Sequence, residues 1–153
     1  MRNAIISAAL CAVALAVPLH AARPSCASQG AVHAQDSVRL EYSWPVIYRV
    51  YRTYGRCDNN AYFSEAFSTG IIKTLSKKWD SLPELATIAT RDSAFLAFVL
   101  LHIDATADYD AIKLILDNTD KRCQKKCEAL CDRLRRRAAR AAATLQRMLE
   151  EQK

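Results

Sequence analysis

The residues of this 153-residue chain whose spacing is most informative about chemistry are its six cysteines. Three of them, Cys123, Cys127 and Cys131, form a C-x3-C-x3-C pattern. On one continuous helix the outer two would lie about 12 Å apart, so three thiolates could not share one metal ion. A disulfide between residues i and i+4 of a regular helix is also strained, because the Cβ atoms stay too far apart. We therefore place Cys123 in a loop before the last helix and predict structural disulfides, with no metal and no other cofactor.

Cys57 is the other cysteine that we expect to remain once a predicted leader, described below, is removed. The disulfide candidates are Cys57, Cys123, Cys127 and Cys131, and four cysteines allow three connectivities. We expect one bond to join Cys57 to the last helix, closing a loop of about 70 residues worth roughly 3–4 kcal/mol. The second bond would join the remaining two cysteines locally.

No residue pattern points to a catalytic site. His102 is the one histidine after residue 34, and its acidic neighbours Asp104 and Asp108 are explained by helix capping. A Ser-His-Asp hydrolase would need His102, but the G-x-S-x-G element is missing from the sequence. As an alternative, a buried Glu65 with a raised pKa would suit a general acid of a peptidoglycan-acting enzyme.

Two groups of basic residues are candidate binding surfaces. The first is an arginine stripe beside a tyrosine stripe on one predicted helix, with residue types that are enriched at interface hot spots. Its members are Tyr48, Arg49, Tyr51, Arg52 and Arg56. The second lies in a run of nine basic residues between 121 and 140, of which we single out Arg133, Arg136, Arg137 and Arg140.

Charge is divided unevenly along the chain. The net charge is +6, but residues 121–153 hold eleven Lys and Arg against four Asp and Glu. Residues 35–120 hold nine against twelve, so the body of the protein is slightly acidic. A basic stripe attracts anions such as an acidic protein, anionic lipid or a charged polymer. Nucleic acid is not expected as a partner, because no recognisable nucleic-acid-binding module is present.

The N-terminus has the layout of a secretory signal. Arg2 precedes the apolar run 4–17, which is too short to span a bilayer as a helix, and Pro18 ends the run. We predict a signal peptide within residues 1–34, with cleavage after Ala21, Ala27 or Ala34. Its removal places the protein in the periplasm or outside the cell, where disulfides are the usual state of paired cysteines.

The elements that must position these residues are helices. Only three Gly and four Pro leave little material for the turns of a β-sandwich, and apolar residues recur at three- and four-residue steps. We predict an all-α domain over residues 35–153, a compact bundle or stacked hairpins of five to six helices stapled by disulfides. The helix around 93–101 is apolar nearly all round and is expected to be the most buried. A long basic helix over about 127–151 ends the chain. Apolar residues form a seam along one face of this helix, and two copies of the chain could associate through it as a homodimer.

The segments Tyr54-Gly55-x-Cys57-Asp58, Lys77-Lys78-Trp79 and His102-Ile103-Asp104 resemble small exported helical proteins of Gram-negative bacteria that carry cysteines and have no assigned function. The architecture is similar to that of the small, disulfide-containing periplasmic immunity proteins that block secreted cell-wall amidases. This resemblance implies a helical, exported protein and assigns no functional residues.

We therefore expect an exported, non-catalytic, protein-binding module of the inhibitor or immunity type, whose partner is an acidic envelope or secreted protein. The alternative is an envelope-surface protein that binds anionic lipid or polymer through its basic C-terminal helix.

Overall fold

The structure is a computed structural model that describes residues 24–151. Every regular element in this range is helical, which confirms the all-α prediction. There are seven α-helices rather than the five to six expected. They are α1 (Gln29–Glu41), α2 (Trp44–Tyr54), α3 (Ala61–Lys77), α4 (Leu82–Arg91), α5 (Ser93–Leu101), α6 (Tyr109–Lys121) and α7 (Glu128–Glu151).

The additional helix is α1. Its residues 29–34 lie in the predicted leader and its residues 35–41 follow it. Its Ala31 and Val38 are fully buried, so α1 belongs to the core. A domain beginning at residue 35 would cut α1 in two. Ala21 lies outside the described residues. No helix within 24–151 combines the length and apolarity needed to cross a membrane.

Short polar side chains fix the starts of several helices. Asp92 and Asp108 accept hydrogen bonds from the amides of Phe95 and Ala111 and so cap α5 and α6. Ser81, which precedes α4, makes no such cap, since its hydroxyl donates to the carbonyl of Lys78.

The centre of the fold is α3, which packs against α1, α2 and α6. Nine of its residues are buried, whereas α5 buries only Phe95, Leu96 and Val99. The expectation that α5 is the most buried helix is therefore wrong. Its apolar outer face lies at the surface, and Leu101 is 58% exposed.

The disulfides link cysteines near each other in sequence. Cys26 bonds Cys57, with Cα atoms 5.7 Å apart, and Cys123 bonds Cys131, with Cα atoms 6.2 Å apart. The predicted bond from Cys57 to the last helix is wrong, because Cys26 is retained in the fold and lies closer. Cys127, expected to be paired, is a buried free thiol. Cys123 does lie in the loop before α7, as expected, and this irregular segment lets it reach Cys131.

The last helix extends beyond the body of the protein. It packs along α6 and touches α5, and its seam is buried at Cys131, Leu134, Ala138 and Ala141. From residue 146 to residue 151 every residue is exposed, including Met148 and Leu149. The final turns of α7 therefore project into solvent.

Candidate functional site

Four arginines of α7 line one open cleft beside the end of α5, which we call the arginine cleft. It has a volume of about 410 Å³. Its lining consists of Ala97, Leu100, Leu101, Arg133, Arg136, Arg137 and Arg140. The arginines meet because positions three, four and seven apart share one face of a helix. The arrangement joins four positive charges to an apolar floor, and no carboxylate is among the lining residues.

Arg137 has a structural role within this cleft. Its guanidinium donates to the carbonyl oxygens of Leu100, at 2.8 Å, and Leu101, at 3.2 Å. These carbonyls belong to the C-terminal turn of α5, where the helix dipole places partial negative charge. Arg137 therefore ties α5 to α7 and fixes the wall of the cleft.

The other three arginines have no acidic partner. Arg133, Arg136 and Arg140 are exposed, and none forms an ion pair within residues 24–151. Arg140 donates only to the carbonyl of Arg136 in the preceding turn. These three side chains are available to an anion from outside the chain.

The arginine and tyrosine stripe of α2 makes its contacts mainly within the protein. Tyr48 donates to a carboxylate oxygen of Asp92 at 3.2 Å, and Arg52 donates to the Tyr48 hydroxyl and lies 3.8 Å from the same carboxylate. Tyr51 packs between Phe95 and Phe98, with ring centroids 5.1 and 4.7 Å away. Burial, with the Asp92 carboxylate as the next cause, raises the pKa of Tyr51.

Arg49 and Arg56, the other members of this stripe, differ from each other. Arg56 donates to the carbonyl of Pro24, beside the Cys26–Cys57 disulfide. Arg49 is exposed and makes no side-chain hydrogen bond or ion pair within residues 24–151. The stripe thus joins α2 to α5 and to the N-terminal segment, and leaves Arg49 free toward solvent.

A second cluster brings together Ser68, His102 and Asp58. The Ser68 hydroxyl lies 2.9 Å from Nδ1 of His102, and Nε2 of His102 lies 3.3 Å from Oδ1 of Asp58. Asp58 follows the 3₁₀ turn Gly55–Cys57, Ser68 lies in the middle of α3, and His102 follows the end of α5. Three separate elements are needed to assemble this cluster, so sequence spacing could not reveal it.

His102 is buried beneath aromatic rings. Its ring centroid lies 4.4 Å from that of Phe98 and 5.9 Å from that of Phe67. Burial lowers the pKa of His102 below its ordinary value of 6.5, and the carboxylates of Asp58 and Asp104 oppose this shift. The imidazole is therefore neutral at pH 7.

The contact between His102 and Asp58 is close but poorly aligned. Their 3.3 Å separation is within ion-pair distance, yet neither Nε2 of His102 nor Oδ1 of Asp58 has a properly directed hydrogen bond. Buried polar atoms without directed partners are uncommon and often mark functional positions.

Ser68 opens into a groove between α3 and the segment leading into α6, which we call the serine groove. Its volume is about 750 Å³. The walls carry hydroxyl, carboxylate and ammonium groups from Ser64, Ser68, Thr69, Glu65, Asp104, Asp108, Lys73 and Lys77. Within residues 24–151 no three His, Cys, Asp or Glu side chains are grouped closely enough to hold a metal ion.

Glu65 lacks the environment that the general-acid hypothesis requires. Its side chain is 68% exposed on the rim of the serine groove, and it pairs with Arg39 at 3.4 Å. The hypothesis requires a buried carboxyl group, and Glu65 is largely exposed and already paired with an arginine of α1.

No protein-family model, curated protein or solved structure matches this chain. The function must therefore be argued from the two sites themselves.

Proposed function

We propose that this chain is an exported protein-binding module, of the inhibitor or immunity type, that holds an acidic partner protein in the arginine cleft. The observation that carries the proposal is the convergence of four guanidinium groups on one open cleft without a carboxylate. Like charges held this close repel one another, and an anionic partner would remove that repulsion.

The chemistry of the cleft favours a protein carboxylate over a simple ion. Arginine binds carboxylates through two parallel hydrogen bonds, and it is enriched in protein interfaces. Leu100 and the largely exposed Leu101 add an apolar floor, as in the desolvated centre of a protein interface. We therefore expect the partner to offer Asp or Glu side chains next to aliphatic ones.

Export is the part of the proposal supported by the cysteines and the leader. The two disulfides indicate an oxidising compartment. The positively charged start and short apolar run of residues 1–17 are the features of a secretory signal.

The test uses a triple variant, Arg133→Gln, Arg136→Gln and Arg140→Gln. It leaves Arg137 in place, so the contact between α5 and α7 is kept. The wild-type protein, immobilised and exposed to envelope extract, should retain an acidic protein in a one-to-one ratio at low salt and release it as salt rises. The triple variant should lose at least about tenfold in affinity for that protein, measured by calorimetry after its purification.

The matched control changes the same total charge elsewhere. Arg91, Lys113 and Lys125 are exposed and make no ion pair within residues 24–151, so their replacement by Gln removes three positive charges without disturbing the cleft. This control should bind as the wild type does. Equal loss in both variants would mean that net charge, and not the cleft, holds the partner, and the proposal would then fail.

The same variants decide the lipid alternative. If the protein is an envelope-surface protein, it should bind vesicles that contain phosphatidylglycerol, and the triple variant should not. Binding to such vesicles without any protein partner would replace the protein-binding proposal by the lipid one.

A further inference from the structure

We propose that Ser68 is the nucleophile of an ester-hydrolysing site that opens into the serine groove, with His102 as its base and Asp58 as the positioning residue. The proposal rests on the contacts from Ser68 to His102, at 2.9 Å, and from His102 to Asp58, at 3.3 Å. It is independent of the arginine cleft, since no residue lines both openings.

The hydroxyl of Ser68 differs from those of Thr74 and Ser76, on the same helix, in its hydrogen-bond partner. Thr74 and Ser76, also on α3, donate to the carbonyl oxygens of Gly70 and Ile72 four residues earlier. This is the usual arrangement for Ser and Thr inside a helix. The Ser68 hydroxyl has instead the ring nitrogen of His102 as its partner.

The direction of proton transfer follows from the two partners of His102. In the tautomer that carries its proton on Nε2, the nitrogen on the side of Asp58, Nδ1 is unprotonated and accepts from the Ser68 hydroxyl. Burial favours the neutral imidazole, which is the form that can act as a base. Asp58 would stabilise the imidazolium that forms when His102 takes the proton.

The reaction is the hydrolysis of a carboxylic ester by water. The Ser68 oxygen bonds to the acyl carbon while its proton passes to Nδ1 of His102. The carbon–oxygen bond of the ester then breaks, and the alcohol leaves with that proton. Water attacks the acyl-serine, gives one proton to Nδ1, and releases the carboxylic acid as the proton returns to the Ser68 oxygen.

The serine groove sets the class of ester. Its volume of about 750 Å³ holds an extended group, and the walls offer Thr69, Asp104 and Lys73 to polar substituents. Most of the accessible lining is apolar, so an ester with an apolar acyl group and polar substituents on its alcohol suits the groove.

A fluorophosphonate probe tests whether Ser68 is activated. The probe transfers its phosphonyl group to a serine oxygen and releases fluoride. We expect one adduct on the folded protein, located at Ser68 by peptide mass spectrometry. We also expect the protein to hydrolyse p-nitrophenyl acetate through the same serine. Ser68→Ala should lose both, while Ser64→Ala, which changes another serine of the same groove, should keep both.

Variants of His102 and Asp58 show whether these residues activate the Ser68 hydroxyl or only support the fold. His102→Gln should lower the rate of labelling by about 100-fold or more. Because this buried change can also unfold the protein, Asp58→Asn and the pH profile of the wild type serve as second measurements. The wild-type labelling rate should fall on acidification through a single ionisation centred below pH 6.5, and Asp58→Asn should move that midpoint lower.

Three results would overturn the proposal. They are the absence of any adduct on the folded wild type, an adduct that persists in Ser68→Ala, and a labelling rate that both His102→Gln and Asp58→Asn leave unchanged at every pH. Any of these would leave the Ser68, His102 and Asp58 contacts as a structural link between helices.

Discussion

Neighbouring arginines of α7 have very different surroundings. Arg135 pairs with Asp120 at 2.7 Å and Asp132 at 3.0 Å, and donates to the carbonyl of Thr119. Arg136 faces the cleft with no acidic partner. The sequence predicted a basic stripe. It could not show which arginines are paired with carboxylates inside the protein and which face solvent, because the packing of α6 against α7 brings Asp120 to Arg135.

A pH measurement tests the description of His102. Its pKa in the folded protein lies below 6.5, the ordinary value expected in the unfolded chain. Between these two values the unfolded chain binds more protons, so the free energy of unfolding should fall as pH falls below 6.5 and be unaffected by this group above it. His102 can change the free energy of unfolding by at most about 1.4 kcal/mol per pH unit.

Urea denaturation at pH 7.5, 6.5, 5.5 and 5.0 provides this measurement. His102→Gln should remove part of the dependence, while the carboxylates contribute equally in both proteins. Identical slopes for wild type and variant would show that His102 is not held in its neutral form by burial.

At the scale of elements, the contact between α1 and α3 depends on Gly70. A Cβ atom at this position would lie 2.6 Å from Cγ1 of Val38 and 2.8 Å from its carbonyl oxygen. Glycine usually weakens a helix interior, so its presence in α3 reflects close helix packing. The sequence does not indicate why position 70 is glycine. Its contact, Val38, lies just after the predicted leader in a stretch where no helix was expected.

Gly70→Ala should therefore separate α1 from α3. We expect a loss of about 1–3 kcal/mol in the free energy of unfolding, as for other overpacked sites. Gly30→Ala is the matched control, because its Cβ would meet the Tyr54 hydroxyl at 3.2 Å and Oγ of Ser28 at 3.9 Å, both on movable side chains. A Gly70→Ala protein as stable as the control in urea would contradict this packing.

The projecting end of α7 predicts tolerance to truncation. A chain that stops after Leu145 loses no buried residue among those described, so its melting temperature should stay within roughly 2 °C of the wild type. A chain that stops after Arg133 loses Leu134, Ala138 and Ala141 and should not fold stably.

The same truncation tests the predicted homodimer. If two copies associate through the exposed end of α7, sedimentation should show a dimer for the full chain and a monomer for the chain that stops after Leu145. Monomers in both would rule out a dimer formed by this end of the helix. A large loss of stability in the shorter chain would contradict the exposure of residues 146–151.

At the scale of the whole molecule, the structure adds most to the sequence at the N-terminus, where three cleavage sites were left open. Three cleavage sites had acceptable small residues, and side-chain size alone gave no reason to keep Cys26. The structure supplies that reason, since Cys26 bonds Cys57 and Ala31 is buried. The helical class and the bounds of the helices around 93–101 and 127–151 were predictable because local periodicity determines them. Disulfide partners and the Ser68 contacts were not, since they depend on how distant elements pack.

Processing after Ala21 is the outcome that these contacts predict. Cleavage after Ala27 would remove one half of the Cys26–Cys57 bond, and cleavage after Ala34 would also remove the first turns of α1. Intact mass spectrometry of the exported protein should give a chain that begins at Ala22 and lacks four hydrogen atoms relative to the reduced form. A chain that begins at Ser28 or Gln35 would contradict it.

Alkylation of the same sample should detect Cys127. One thiol should react after denaturation without reductant, and none in the folded protein, because Cys127 is buried. Two or more reactive thiols in the oxidised protein would contradict the pairing.

The two disulfides follow one another along the chain without crossing. If the protein leaves the cell interior with its N-terminus first and the leader is removed with Cys11, Cys26 and Cys57 are the first two thiols of the processed chain to emerge and can be oxidised together. Cys123 emerges next, and the free thiol Cys127 then emerges four residues before Cys131, the partner of Cys123. An oxidant that joins thiols in order of appearance would thus form the first bond correctly and risk error only at the second. The need for disulfide isomerisation is therefore confined to the segment that leads into the basic helix.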